Sequence, residues 1–262
     1  MSDVWSFDKE NDPLWFKFFP YERSLLPSDY ITSKECTGQK IKEFQIDLVL
    51  TNLKNRRSSR FNDGIKHLLL RKPIRYLEKT IANCFHLEAL NKIFQDPLFI
   101  HLVRDGRACI SSMIEGWDSG FFWKRNLPFA QGSTISHWCY PIPPGWQNMA
   151  NKPLAEICAW SWVEHNRYVL DSFCADARLD SRWLRISYEN LLVDPLPAIE
   201  RIAAFTGLEI SDDCTNYLKE KRPSWTTISQ PKADKWKEKN FDAINGIIPL
   251  IKPMMEKLEY QV

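Results

Sequence analysis

Pro97-Leu-Phe-Ile-His-Leu-Val-Arg104-Asp-Gly-Arg107-Ala-Cys-Ile-Ser-Ser112-Met-Ile-Glu-Gly-Trp117 reads as a strand that turns straight into a helix. Residues 98–103 form a short apolar run rich in β-branched and aromatic side chains, the pattern of a strand buried on both faces of a parallel sheet. The run stops at Arg104. Asp105 is a good helix N-cap, and residues 107–117 continue with helical spacing. In open α/β sheets the crevice lies at the carboxyl ends of the strands, and a helix N-terminus there favours negative charge. Arg104 would add a rigid fork of donors suited to a phosphate. Taken alone, an arginine in this place is more often an ordinary ion-pair or surface residue.

The same alternation extends on both sides of this segment. Residues 73–77 read as a strand running into Glu78-Lys79-Thr80, and residues 83–94 as an amphipathic helix through Phe85, Leu87, Leu90, Ile93 and Phe94. Strand, helix, strand, helix is the order expected of a parallel sheet and an α/β fold. Residues 40–55 are consistent with a further amphipathic helix. Residues 154–173 form a strong helix, and 183–186 a strand followed by Ser-Tyr188-Glu-Asn-Leu-Leu-Val-Asp-Pro195. A helix, a Phe205-Thr-Gly207 turn, a helix over 212–221, a polar loop over 222–234 and a last amphipathic helix to about Leu258 complete the chain. Between 118 and 153 the periodicity fails, leaving an aromatic, Pro-rich insertion of the kind used as lids or binding loops. Its rings could line an acceptor pocket or form the insertion's own small core, and the second is the commoner role for any one ring. The aromatic residues 1–20 read as an arm docked on the domain.

With 262 residues the chain can bury a sizeable core, and one domain over 1–262, with the insertion at 118–153, is expected. A net charge of +2 gives no argument for nucleic acid, and no basic run is interleaved with stacking aromatics. Seven cysteines are scattered without a Cys-x-x-Cys pair, and Cys109 and Cys158 sit in apolar runs as small core residues. His137 and His165 have no metal-ligand spacing. No apolar run of membrane length is present, and a reducing, cytoplasmic setting is the default expectation.

Four of these segments, in order, resemble the motifs of sulfotransferases that use 3′-phosphoadenosine 5′-phosphosulfate (PAPS). In that family an arginine at the strand end and a serine eight residues later hold the donor's 3′-phosphate, and here those positions are Arg104 and Ser112. Ser111 misses the spacing and reads as a helical surface serine. Glu78-Lys79-Thr80 resembles the Glu-Lys-Thr-Pro signature of the carbohydrate-type enzymes, with Ile81 in place of the proline. The resemblance puts Lys79 near the transferring group, where a cation offsets charge building on the oxygens; a lone lysine in a charged turn would otherwise be a surface residue. Tyr188-Glu-Asn-Leu resembles the family's Tyr-Glu-[Asp/Asn]-Leu, whose tyrosine packs on the donor's adenine, while a buried strand-end tyrosine is the plain alternative. Residues 3–16 resemble a segment carrying the general base of carbohydrate-type enzymes, which would make Glu10 that base; a solvated surface glutamate is the equal alternative.

The implied fold is a three-layer, P-loop-NTPase-like α/β domain with a central parallel sheet flanked by helices. Family members also begin with a strand and a Gly-x-x-[Arg/Lys]-[Ser/Gly]-Gly-Thr-type loop that wraps the 5′-phosphosulfate, and no such string occurs here. Gly132-Ser-Thr134 lies in a Pro-rich region with no strand before it. The resemblance thus implies a sequence starting just downstream of that loop. Two functional readings follow. The first is transfer of a sulfuryl group from PAPS, without a metal, to a hydroxyl or amine of a small-molecule or glycan acceptor. The second is a catalytically impaired relative that binds a nucleotide or sulfated ligand. A nucleotide kinase is disfavoured, because no Gly-x-x-x-x-Gly-Lys-[Ser/Thr] loop exists.

Overall fold

The structure, a computed structural model, describes residues 4–6, 12–20, 28–55, 75–122, 124–220 and 234–262. The chain divides into two units, Met1–Gln95 and Asp96–Val262, both with parallel strand pairing between helices.

In the first unit strand β1 (Val4–Ser6) pairs in parallel with β2 (Arg75–Leu77), Trp5 opposite Tyr76. Residues 4–6, expected as part of a docked arm, therefore form a strand. Helices α1 (Asp12–Phe18), α2 (Gly38–Asn55) and α3 (Leu87–Ile93) surround a core centred on Trp15. The indole ring of Trp15 lies 4.7 Å from the Phe44 ring and 4.4 Å from that of His86. Over residues 38–50 of α2 the buried side chains are Phe44 and Leu48, one turn apart, whereas Ile46 and Leu50 face solvent. The helix expected over 83–94 begins later: Ile81–Phe85 is a 3-10 turn, and α3 starts at Leu87.

The second unit is built on β3 (Phe99–Val103) and β4 (Trp183–Ser187), paired in parallel over all five residues from Phe99 opposite Trp183 to Val103 opposite Ser187. Their connection runs through α4 (Gly106–Ser119), the insertion, and α5 (Leu154–Cys174). After β4 come α6 (Tyr188–Val193), α7 (Pro195–Thr206), α8 (Asp212–Lys219), α9 (Lys235–Lys239) and α10 (Phe241–Lys257). Helix α10 buries Ile244, Ile247, Ile251, Met254 and Met255, a stripe at helical spacing, against α4 and α5. Gly106 sits where these helices meet. A Cβ there would come to 3.0 Å from both Met255 Sδ and the Trp162 ring, so any other residue would make these side chains give way.

The insertion makes its own core. Trp138 and Trp146 are fully buried, and Trp138 packs edge-on against Trp117 of α4 at 5.4 Å. The Tyr140 hydroxyl donates to the Met113 carbonyl at 2.9 Å, and a Cβ on Gly116 would collide with that hydroxyl and with the Phe122 ring. These rings thus pack the fold.

Candidate active site

Because Val103 stands opposite Ser187, the following residues, Arg104 and Tyr188, leave the two parallel strands at the same end. This is the position where an α/β sheet opens its crevice. The Arg104 guanidinium lies over the Tyr188 ring, 5.0 Å from its centroid, and both side chains are half-buried. The ring's electron-rich face attracts the cation without using its N–H donors as a carboxylate would.

Two carboxylates adjoin this pair, and each is taken up elsewhere. Asp105 accepts from the Arg107 amide at 2.8 Å, capping α4, and its other oxygen is gripped by Arg107 Nη2 at 2.6 Å. Glu189 Oε1 accepts from the Asp105 amide at 2.9 Å. Its Oε2 accepts from the Ser187 hydroxyl at 2.9 Å and from the Tyr260 hydroxyl at 2.7 Å. Arg104 consequently has neither an ion pair nor a hydrogen bond among the described residues. Burial, together with the bond to the Glu189 carboxylate, pushes the Tyr260 phenol above its usual range. Burial likewise raises the Cys109 thiol, with the charge of Arg104 acting in the opposite sense.

The N-terminus of α4 was expected to cradle an anion, but its first amides already have partners. Arg107 N–H is bound by the Asp105 cap, and Gly106 N–H points at Met255 Sδ, 3.2 Å away. An aspartate N-cap competes for the donors an external anion would use. Among the described residues at this end of the sheet, the Arg104 side chain is a positive group left available.

Of the other residues singled out in the sequence, Ser112 is half-buried and donates its hydroxyl to the Ala108 carbonyl at 3.0 Å. It lies two turns along α4 from the Asp105 cap, about 10 Å at 1.5 Å per residue. Ser111 is corrected: it is buried, and Asn240 Nδ2 donates to its hydroxyl at 2.9 Å. Arg107, Ser111 and Glu115, four residues apart on α4, share a face that residues 235–240 cover. Lys235 Nζ binds Glu115 at 2.7 Å, and the Arg107 guanidinium lies 5.6 Å from the Trp236 ring. Lys79 belongs to the first unit. It is exposed, lies two residues past the end of β2, and stands between Glu78, which accepts from Asn83 Nδ2, and the buried Thr80. Glu10 lies outside the described residues.

Two residues of this neighbourhood carried no assignment from sequence reasoning. Glu189 was visible as the acidic member of the Tyr-Glu dipeptide, but nothing in the sequence said what it binds. Tyr260 had no signal at all. Among the described residues no group of three or more His, Cys, Asp or Glu side chains is placed to hold a metal ion. No described helix is long and apolar enough to cross a membrane.

A model of the sulfotransferase family matches residues 39–212. No curated protein matches the chain. Among solved structures, the sulfotransferase domain of the curacin biosynthetic pathway is similar over 99% of this chain and 97% of its own, with 14% identity and a TM-score of 0.50. The sulfotransferase domain of the Synechococcus PCC 7002 olefin synthase is similar over 86% of this chain and 76% of its own, at 20% identity and a TM-score of 0.45. Sulfotransferase STF9 from Mycobacterium avium is similar over 96% of this chain and 63% of its own, at 15% identity and a TM-score of 0.43.

Proposed function

This chain belongs to the sulfotransferase family, and we propose that it moves a sulfuryl group from PAPS to a hydroxyl or amine of a small-molecule or glycan acceptor. The observation that carries the donor assignment is the half-buried Arg104 guanidinium, held over Tyr188 at the ends of two parallel strands with no acceptor among the described residues. A half-buried guanidinium with no protein acceptor keeps its N–H donors available to an incoming anion. A phosphate fits, because the planar fork can bind two of its oxygens at once.

In this reading Arg104 holds the donor's 3′-phosphate. Ser112 joins it by turning its hydroxyl from the Ala108 carbonyl toward the phosphate. The adenine stacks on the face of Tyr188 opposite the guanidinium. Lys79 stands beside the transferring group, and Glu10 takes the acceptor's proton. As the S–O bond to the donor phosphate lengthens, negative charge accumulates on the leaving phosphate oxygens, and the Lys79 ammonium stabilises it. The acceptor oxygen or nitrogen attacks in line while its proton passes to the Glu10 carboxylate, a general-base contribution of about 10²–10⁴-fold. As in phosphoryl transfer, positioning and electrostatics supply most of the acceleration.

Isothermal calorimetry with 3′-phosphoadenosine 5′-phosphate (PAP) tests the donor site. Loss of a charged phosphate contact worth about 2–3 kcal/mol should weaken binding by Arg104→Ala roughly 30- to 150-fold. Equal affinity of the two proteins would remove Arg104 from the donor site.

A further inference from the structure

We propose that Glu189 is a positioning residue of the donor site: its carboxylate fixes the turn through which Arg104 leaves β3. The inference rests on the donor reading above. Three chain segments distant in sequence meet on this one side chain. They are the Asp105 amide at the start of α4, the Ser187 hydroxyl at the end of β4, and the Tyr260 hydroxyl beyond α10. The Tyr260 segment is itself anchored, because its amide donates to the Met255 carbonyl at 2.9 Å and the preceding Leu258 is buried. Ser187 meanwhile caps α6 by accepting from the Asn190 amide.

The backbone of the residue after Arg104 is thereby tied to Ser187, the last residue of the strand that leads into Tyr188. This tie sets the guanidinium relative to the ring it rests on. Charge-assisted hydrogen bonds of this kind are short and directional. A phosphate grip through a planar fork tolerates little error, and a displacement of about 1 Å at a functional group is enough to lose much of its effect. The same three bonds also occupy the carboxylate, which makes no ion pair with Arg104. Glu189 thus orients the cation without neutralising it.

The test compares wild type, Glu189→Ala, Glu189→Gln and Tyr260→Phe in two measurements. The first is PAP affinity by calorimetry; the second is amide hydrogen exchange, without ligand, of a peptide spanning residues 103–108. Glu189→Ala should weaken PAP binding by about tenfold or more and speed exchange in that peptide, with peptides of α5 unchanged. Glu189→Gln keeps a carbonyl for the Asp105 amide and can donate to the two hydroxyls, so it should recover affinity to within about threefold of wild type. Tyr260→Phe removes one of three bonds and should fall between. Affinity of Glu189→Ala within twofold of wild type, or faster exchange spread evenly over the protein, overturns the proposal. If Glu189→Ala does not fold, Tyr260→Phe carries the same comparison, and unchanged affinity and exchange in it overturn the proposal. If wild type fails to bind PAP, the donor reading falls by itself. The exchange measurement then decides whether Glu189 holds the turn: unaltered exchange overturns it, and faster exchange confined to 103–108 supports it.

Discussion

Arg104 keeps its charge available because each neighbouring carboxylate has a better partner. Asp105 forms a chelate with Arg107, and Glu189 collects three donors, so among the described residues neither carboxylate pairs with Arg104, whose guanidinium lies over the Tyr188 ring. The arrangement depends on donor geometry as much as on charge, which is why lysine would be a poor replacement at 104. Lys79 has a different expected signature. If it stabilises charge that develops only in the transition state, Lys79→Ala should lower kcat about 10²–10³-fold while leaving the donor's KM within a few-fold. Steady-state sulfate transfer measured against donor concentration checks this, and a change confined to KM would make Lys79 a binding residue instead.

Helix α4 carries the candidate site and is also the element on which the second unit is assembled. Its start is set by Asp105, its crossing with α5 and α10 by Gly106, and its contact with the insertion by Gly116. Asp105→Ala should remove an N-cap worth about 1 kcal/mol and release Arg107. The midpoint of thermal unfolding should then fall by about 2–4 °C for each kcal/mol lost in a chain of this size. Asp105→Asn, which can still cap, should recover much of the loss. Differential scanning calorimetry of the two variants decides it, and equal midpoints for wild type and Asp105→Ala would show that the cap contributes nothing. The elements that were legible beforehand are those whose periodicity is long or whose boundary residue has a local role: β3, α4 with its cap, α5 and α10. Strand β1 was missed because three residues paired in parallel with a strand far along the chain leave no local pattern. The first part of the 83–94 segment was misjudged because a 3-10 turn and an α-helix place apolar residues at nearly the same spacing.

For the molecule as a whole, stability should depend on pH through two half-buried imidazoles. His101 Nε2 meets Asn166 Oδ1 at 3.2 Å, and His165 donates from Nδ1 to the Ser161 carbonyl at 2.6 Å. Burial lowers the pKa of each to about 4 from an ordinary 6.5, and nearby arginines, Arg185 and Arg125 respectively, add to the shift. Both are therefore neutral in the fold, and unfolding binds protons once the pH drops below 6.5. The stability they support is complete above that pH and declines from 6.5 toward 4, by about 2 kcal/mol for each histidine at pH 5. Urea midpoints measured from pH 7 to pH 5 should show this decline, and His165→Gln should remove about half of it; a flat profile would contradict the burial of these rings. From residue order alone came the α/β class, the strand-to-helix turn at Arg104, and the pairing of Arg104 and Tyr188 with the two strand ends, since alternation and capping act over a few residues. Only the tertiary structure decided that Ser111 is buried rather than exposed, that the first amides of α4 are already filled, and that Glu189 and Tyr260 meet. Those outcomes depend on which distant segment covers a polar surface, and a local sequence pattern holds no information about a partner brought near only by the fold.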